Sequence, residues 1–568
     1  MSTLDWAVML FTLLGIVIYG VWKTRKTDNA EDHLRGKREL KWWTIGLSIM
    51  ATQASAITFL STPGLAYEDG MGFAQFYFGL PVAMVIIAIF FLPIYYKLKV
   101  YTAYEYLEGR FGVETRSFTA SLFLISRGLA AGITILAPAI ILSSIMGWNL
   151  TLTNICIGVV VVIYTVIGGT TAVSQTQKQQ MIVILSGMIL AAFLIVFKMP
   201  SDISFMDAVS VAGKMEKLEV VDFSFDLNNK YTFWSGMLGG TFLFLSYFGT
   251  DQSQVQRYLS GRTLRESRLG LLFNGVIKVP MQFLVLFVGL LVFMFYQFER
   301  PPVHFNNANV DKIKNTAYYD DYQDLEVKFN KVFDVKQGEI RNLITAMHSE
   351  DEVRIASAKA SVLATEIKEK AVRKEVKELI TQADPKLVTK DHDYIFITFV
   401  MDHMPIGVIG LLIAVIFSAA MSSVASELNA LATTTTIDIY KRSIKKGASD
   451  EHYLKASRGF TVMWGVVALI FALSASLFDN LIEAVNIVGS LFYGTILGVF
   501  LTAFFLKSVK GKAVFITAIF CELVVMFLYY LIYIEALNMP YLYLNLIGCL
   551  LVMIIASILQ QFMKEEEV

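Results

Sequence analysis

Apolar stretches of helix length, separated by short polar connections, recur along nearly the whole chain. Hydropathy predicts about 13 transmembrane helices in an all-α polytopic membrane protein. They lie near 4–22, 42–66, 72–96, 117–146, 151–173, 179–199, 232–256, 268–297, 400–438, 459–478, 481–506, 513–534 and 541–562. The connections alternate in sign. Lys23 to Lys41, Lys97 to Arg116, Arg257 to Arg268, Lys441 to Arg458 and Lys507 to Lys512 are basic. Glu68-Asp69, Gly147-Trp-Asn149, Asp479-Asn480 and Glu535 are acidic or neutral. The positive-inside rule places the basic set in the cytoplasm, the N-terminus outside and the C-terminus (Lys564-Glu-Glu-Glu-Val568) inside.

One polar insert interrupts this rhythm at 299–390 and falls on the outside in this topology. Ser349-Glu-Asp-Glu352 reads as a capping box. Ala356, Ala360, Leu363 and Ile367 follow at helical spacing, and Asp384-Pro385 ends the run. The expectation is a helical hairpin resting on the outer face, either inert or docking a partner.

Composition narrows the class. Charged residues make up 17% of the chain, against about 25% in a soluble domain. Zero net charge argues against a nucleic-acid partner. Cys156, Cys521 and Cys549 lie far apart in apolar stretches, without disulfide or zinc spacing. All six histidines fall in or beside polar connections. A membrane enzyme built on His, Cys or clustered carboxylates therefore has no candidate residues. The first apolar run has no basic segment before it and reads as a retained span.

Two spans carry unusual chemistry. The second contains Met50-Ala51-Thr52-Gln53-Ala54-Ser55-Ala56-Ile57-Thr58, small and hydroxylated residues that favour a local break or, alternatively, close helix packing. The ninth contains Phe417-Ser-Ala-Ala-Met-Ser422-Ser423-Val-Ala-Ser-Glu427, then Asp438-Ile-Tyr-Lys441. Carbonyls of Ala51, Ala54 and Ala419 with hydroxyls of Ser422 and Ser423 offer five neutral oxygens, a hard donor set suited to Na+. Arg127, inside the fourth span, is costly unless paired or in water. It meets either a substrate carboxylate or a structural partner, Asp251 or Glu427. Glu427 is read as facing an inner vestibule and Glu483 as interfacial.

The chain resembles the sodium:solute symporter family. The resemblance rests on Ala103-Tyr-Glu-Tyr-Leu-Glu-Gly-Arg-Phe-Gly112, Ile133-Thr-Ile-Leu-Ala-Pro-Ala139, Gly168-Gly-Thr-Thr-Ala-Val173, Val255-Gln-Arg-Tyr-Leu259, the Ser422 helix and Gly489-Ser-Leu-Phe-Tyr-Gly494. It implies a leucine-transporter type fold. Two five-helix inverted repeats, with spans two and seven broken, would be joined by one N-terminal and two C-terminal helices. The expected organisation is 1–41 N-terminal helix and loop; 42–199 first repeat; 200–231 outer loop; 232–298 second repeat, first part; 299–390 insert; 391–506 second repeat, remainder; and 507–568 C-terminal pair.

The resemblance also maps the shared sodium site onto Ala51, Ala54, Ala419, Ser422 and Ser423. It maps solute-facing positions onto Gln53, Ser55, Thr58, Gln75, Asp251 and Asn486. Members with a second sodium site carry an Asp where this chain has Gln177, and some keep a Ser where it has Ala425. One sodium per solute is the expectation. Lys178 either supplies a charge near that position or lies at the interface. The implied protein is a plasma-membrane symporter, of bacterial inner-membrane type, importing a small polar solute: a sugar, sialic acid or other monocarboxylate, or an amino acid. A proton-coupled or uncoupled carrier and a transporter-like sensor are the alternatives.

Overall fold

The structure is a computed structural model describing residues 1–24, 39–98, 100–473 and 480–563. Most of the first basic connection, Asp479 and the 564–568 tail lie outside the described residues, as do the side chains of 168–172 in the Gly-Gly motif. The described residues are helical apart from connections and one isolated bridge, Leu40 to Gly261. Among them nine helices are long and apolar enough to cross a membrane, and Thr3–Ile16 and Leu150–Ile163 are shorter apolar runs.

The second span is broken. Helix α1 is Thr3–Thr24, α2 is Trp42–Gln53 and α3 is Ala56–Asp69. Between α2 and α3, Ala54 turns out of helical geometry (φ −79°, ψ 76°) and Ser55 is extended. The seventh span breaks likewise. A π-helical turn Ser235–Gly240 leads into α7, Thr241–Gly249. The chain then opens at Thr250–Asp251 before α8, Gln252–Leu259. The Asp251 side chain caps α8 by accepting from the Ser253 amide at 2.9 Å, which satisfies one of the donors that a helix start leaves free.

Two long helices form the scaffold around these breaks: α4, Val113–Met146, and α9, Val408–Thr434. Between them in sequence come α5, Leu150–Phe197, and α6, Leu264–Phe298. Helix α6 backs both halves of the broken span. A Cβ on Gly270 would lie 2.6 Å from Ile45, and one on Gly289 would lie 2.2 Å from the Pro63 carbonyl. The two spans placed by the sequence at 151–173 and 179–199 fall within one continuous helical run, α5, of 48 residues. Both ends of α5 meet the insert. Leu150 and Thr151 line a cavity with Asn306, Asn309 and Lys386, and just beyond Phe197 the Asp202 carboxylate pairs with Arg341 at 2.8 Å. The run therefore goes away from that face and returns.

The insert is a hairpin of two long helices, Tyr319–His348 and Glu352–Ala383. Its core joins Tyr322, Phe329, Val376 and Ile380. Within it the Glu369 carboxylate, buried, accepts from Lys336 at 2.7 Å and pairs with Arg373 at 3.3 Å. Burial alone would raise this carboxyl; the two cations hold it below its ordinary value. Two local expectations are corrected. Asp351, not Ser349, caps the second helix, because Ser349 still belongs to the end of the first. Ile367 is 69% exposed, because the buried stripe runs through Ile355, Val362, Val372 and Val376 instead.

Beyond the hairpin the chain returns to the broken span. The His392 carbonyl approaches Gly64 so closely that a Cβ there would meet it at 2.1 Å. Next to it, Asp393 is buried, and burial pushes its carboxyl up to about 6, against the opposing pulls of Ser61, His392 and the Leu481 amide. A folded-state value above the ordinary carboxylate value means that the folded chain holds this proton more tightly. The stabilisation is complete below the unfolded value near 3.8 and is lost as pH rises through about 6. Asp393→Asn copies the neutral acid. Its melting midpoint should stay level across that window where the wild type falls; parallel curves would refute the assignment.

Candidate functional site

The break at Ala54 decides where one backbone oxygen points. In an intact helix the Ala51 carbonyl would accept from the Ser55 amide. Here the Ser55 amide turns to the Gln53 carbonyl at 2.9 Å. The Ala51 oxygen is instead met by the Ser422 hydroxyl of α9 at 3.1 Å. One residue on, the Ser423 hydroxyl donates to the Ala419 carbonyl at 3.0 Å. Ala51, Ala54, Ala419 and Ser423 are fully buried, and Ser422 nearly so. Oxygens from chain segments 371 residues apart thus meet at one helix contact, none with a formal charge. Such a set fits a small monovalent cation that takes carbonyl and hydroxyl ligands.

Gln177 stands beside this contact. Its amide nitrogen donates to the hydroxyls of Thr52 at 3.0 Å and Ser426 at 2.7 Å, and its oxygen accepts from Ser48 at 2.5 Å. The side chain cross-links α2, α5 and α9 with no net charge. Lys178 faces elsewhere, with its ammonium 3.9 Å from the centre of the Trp43 ring.

A cavity opens next to the break in α2–α3. Gln53, Ser55 and Thr58 line it from the broken span, together with Thr134, Tyr247, Glu427, Asn486, Tyr493 and Arg127. Phe76, Tyr77 and Phe244 complete its apolar wall. Four of the six solute positions read from sequence are therefore brought together. Gln75 and Asp251 are not. The Gln75 amide is consumed by the backbone of a loop, donating to the Tyr231 carbonyl at 2.8 Å and accepting from the Asp222 amide at 2.8 Å. Asp251 caps α8 and is screened from the cavity by Arg127.

Arg127 is the hub. It pairs with Asp251, and with Glu427 at 3.1 Å. It also donates to the Tyr493 hydroxyl at 2.5 Å and lies 5.0 Å from the centre of the Tyr247 ring. The structural pairing considered for this arginine involves both carboxylates at once. Tyr247, Tyr493 and Thr134 are cavity residues that sequence reasoning missed. Aromatic and hydroxyl residues inside apolar helices carry no distinguishing signal without knowledge of the partner helices.

The face opposite the insert is closed by further polar contacts. The Tyr104 hydroxyl donates to the Thr250 carbonyl at 2.9 Å. The Asp438 carboxylate accepts from Thr102 and Arg116, each at 2.8 Å. On the insert side Glu483, read as interfacial, pairs with Lys230 at 3.1 Å and accepts from the Tyr231 hydroxyl at 3.0 Å.

Removing Arg127 would strand two buried carboxylates, a loss of about 3–5 kcal/mol for a broken buried pair. Arg127→Ala should lower the melting midpoint of the purified protein in detergent. Adding Asp251→Asn and Glu427→Gln to that variant should restore most of it. An unchanged midpoint in the single variant would show that the network does not hold the helices together.

Comparison with known proteins agrees with this geometry. The sodium:solute symporter family matches residues 33–316 and 378–520, on either side of most of the hairpin. The human sodium/iodide cotransporter is 32% identical over 292 residues, covering 51% of this chain and 45% of that one. The mouse sodium-coupled monocarboxylate transporter 2 is 26% identical over 500 residues, covering 88% of this chain and 67% of that one. The chain thus spans less than half of the first relative and about two thirds of the second. A solved structure of a Na+-coupled sialic acid symporter, substrate-bound and outward-open, superposes with a TM-score of 0.74 at 22% identity, covering 99% of this chain and 98% of that one. That likeness shows the fold. The broken helices, the convergent oxygens and the family match over most of its length make this chain a member of the sodium:solute symporter family.

Proposed function

We propose that this protein is a sodium-coupled secondary active symporter, importing a small polar organic solute by alternating access with one sodium per solute. The observation that carries this reading is the Ala51 carbonyl, freed by the helix break and met by Ser422. A sodium ion held there by Ala51, Ala54, Ala419, Ser422 and Ser423 would clamp α2 to α9. The same break also shapes the solute cavity. Sodium and solute would then each raise the affinity for the other by the same factor. The neutral Gln177 cross-link supports a single cation, because an amide nitrogen already occupies the oxygens of Thr52 and Ser426.

The cavity chemistry favours a solute without net negative charge. Arg127 already faces two carboxylates, so a third would go unmatched. The Gln53 amide oxygen and the second Glu427 oxygen have no hydrogen-bond partner, and neither has the Asn486 amide nitrogen. A hydroxyl-rich or zwitterionic solute supplies donors for the first two and an acceptor for the third. Among the candidates read from sequence, sugars and amino acids fit better than simple monocarboxylates.

The protein is placed in a plasma membrane, of bacterial inner-membrane type, and the positive-inside pattern supports an orientation with the hairpin and N-terminus outside and the C-terminus inside. One sodium entering gains about 2.3 kcal/mol per 100 mV. A tenfold gradient adds about 1.4 kcal/mol. Together these support roughly several hundred-fold solute accumulation.

The Ser422→Ala/Ser423→Ala variant should fold and still abolish sodium-induced thermal stabilisation and sodium-dependent uptake in proteoliposomes. Uptake with unaltered sodium dependence would overturn the site. A screen of sugars, amino acids and monocarboxylates by thermal shift, with and without sodium, identifies the solute. Reversal potentials in the same vesicles should report one sodium charge per neutral or zwitterionic solute; two would overturn the stoichiometry.

A further inference from the structure

Helix α10, Leu481–Phe505, lends Asn486 and Tyr493 to the cavity, and its other face packs on α11, Gly511–Tyr533, and α12, Tyr543–Met563. Near the middle of α11 sits Glu522, only 4% exposed. Neither of its carboxyl oxygens has a hydrogen-bond partner. The hydroxyl of Thr495, from α10, lies within hydrogen-bonding reach of it and has no other partner, and that of Thr517 on its own helix is likewise unsatisfied.

No cation answers this carboxyl among the described residues. On its own helix the adjacent titratable group is Cys521. Helix α12 offers Cys549, and α10 offers Tyr493, whose hydroxyl is engaged with Arg127 and Asp251. Helix α4 reaches α11 through Phe118 and Phe515, with ring centres 5.9 Å apart. Its Arg116 is held by Glu108 and Asp438, and its Arg127 by Asp251 and Glu427; the segment Glu105–Phe111 also packs on α11, and its Arg110 donates to the Leu506 and Lys507 carbonyls.

An ionised carboxylate at this depth, without a counter-charge and with only threonine hydroxyls as donors, is expensive. The neutral acid avoids that cost and gains an O–H that the Thr495 oxygen can accept. We propose that Glu522 and Thr495 form a proton-binding site buried between α10 and α11, separate from the sodium and solute sites. Protonation there holds α10 against α11, and deprotonation loosens the helix that carries Asn486 and Tyr493.

Dicyclohexylcarbodiimide, an apolar reagent that modifies protonated carboxyls, tests this in the purified full-length protein. The peptide containing Glu522 should be labelled at acid pH and labelled several-fold less at alkaline pH. Glu522→Gln, which copies the neutral acid, should remove the label. Its melting midpoint should match the wild type at acid pH and stay level where the wild type falls on alkalinisation. No label on Glu522 at acid pH, or midpoints that fall in parallel, would overturn the proposal. Label lost on adding Na+ at fixed pH would overturn it in favour of a metal-cation site.

Discussion

The arrangement depends on one hydrogen bond that an intact helix would have kept for itself. Because the Ser55 amide turns back to Gln53, the Ala51 carbonyl is released inside the protein. A backbone oxygen in an apolar interior must be satisfied, and within a bilayer unwound backbone survives only where protein or a cavity receives it. Ser422 receives it here. The same displacement turns Gln53, Ser55 and Thr58 toward the cavity. The Ala51–Ser422 contact and the cavity beside it are therefore two consequences of one backbone event. A change at either is transmitted to the other through a few residues.

How much of this was legible in the sequence follows from the range of each interaction. The break at Ala54–Ser55 was legible because small and hydroxylated residues cluster locally, within one helix turn. The hairpin helices were legible from composition, but Ile367 misled: its spacing from Leu363 is helical, yet the stripe that packs is set by the partner helix. The convergence on Ser422 was reached through donor chemistry and through resemblance to a family, each naming the same five residues. Gln75 and Asp251 show where that reasoning ends. Both are polar residues on the right spans, but one is claimed by a loop backbone and the other by a helix start. Such local claims on a side chain leave no mark in hydropathy. Tyr493 shows the converse, since its hydroxyl matters only because Arg127 lies across from it.

The two helix breaks carry opposite electrostatics, and that division bears on how a carrier can move. At Ala54 every group is neutral: carbonyls, serine hydroxyls and the Gln177 amide. At Thr250–Asp251 the groups are formally charged and matched through Arg127, with Tyr493 bridging. Neutral dipoles can accept or release a cation with little rearrangement, because no fixed counter-charge is left unpaired. A buried arginine between two carboxylates behaves differently, since separating any member leaves a stranded charge. The seventh-span break is thus suited to holding the helices in register, and the second-span break to exchanging an ion. Placing a carboxylate at Gln177 would blur this division by adding a fixed negative charge to the neutral side. The amide found there preserves it, and the single-cation reading follows from that neutrality.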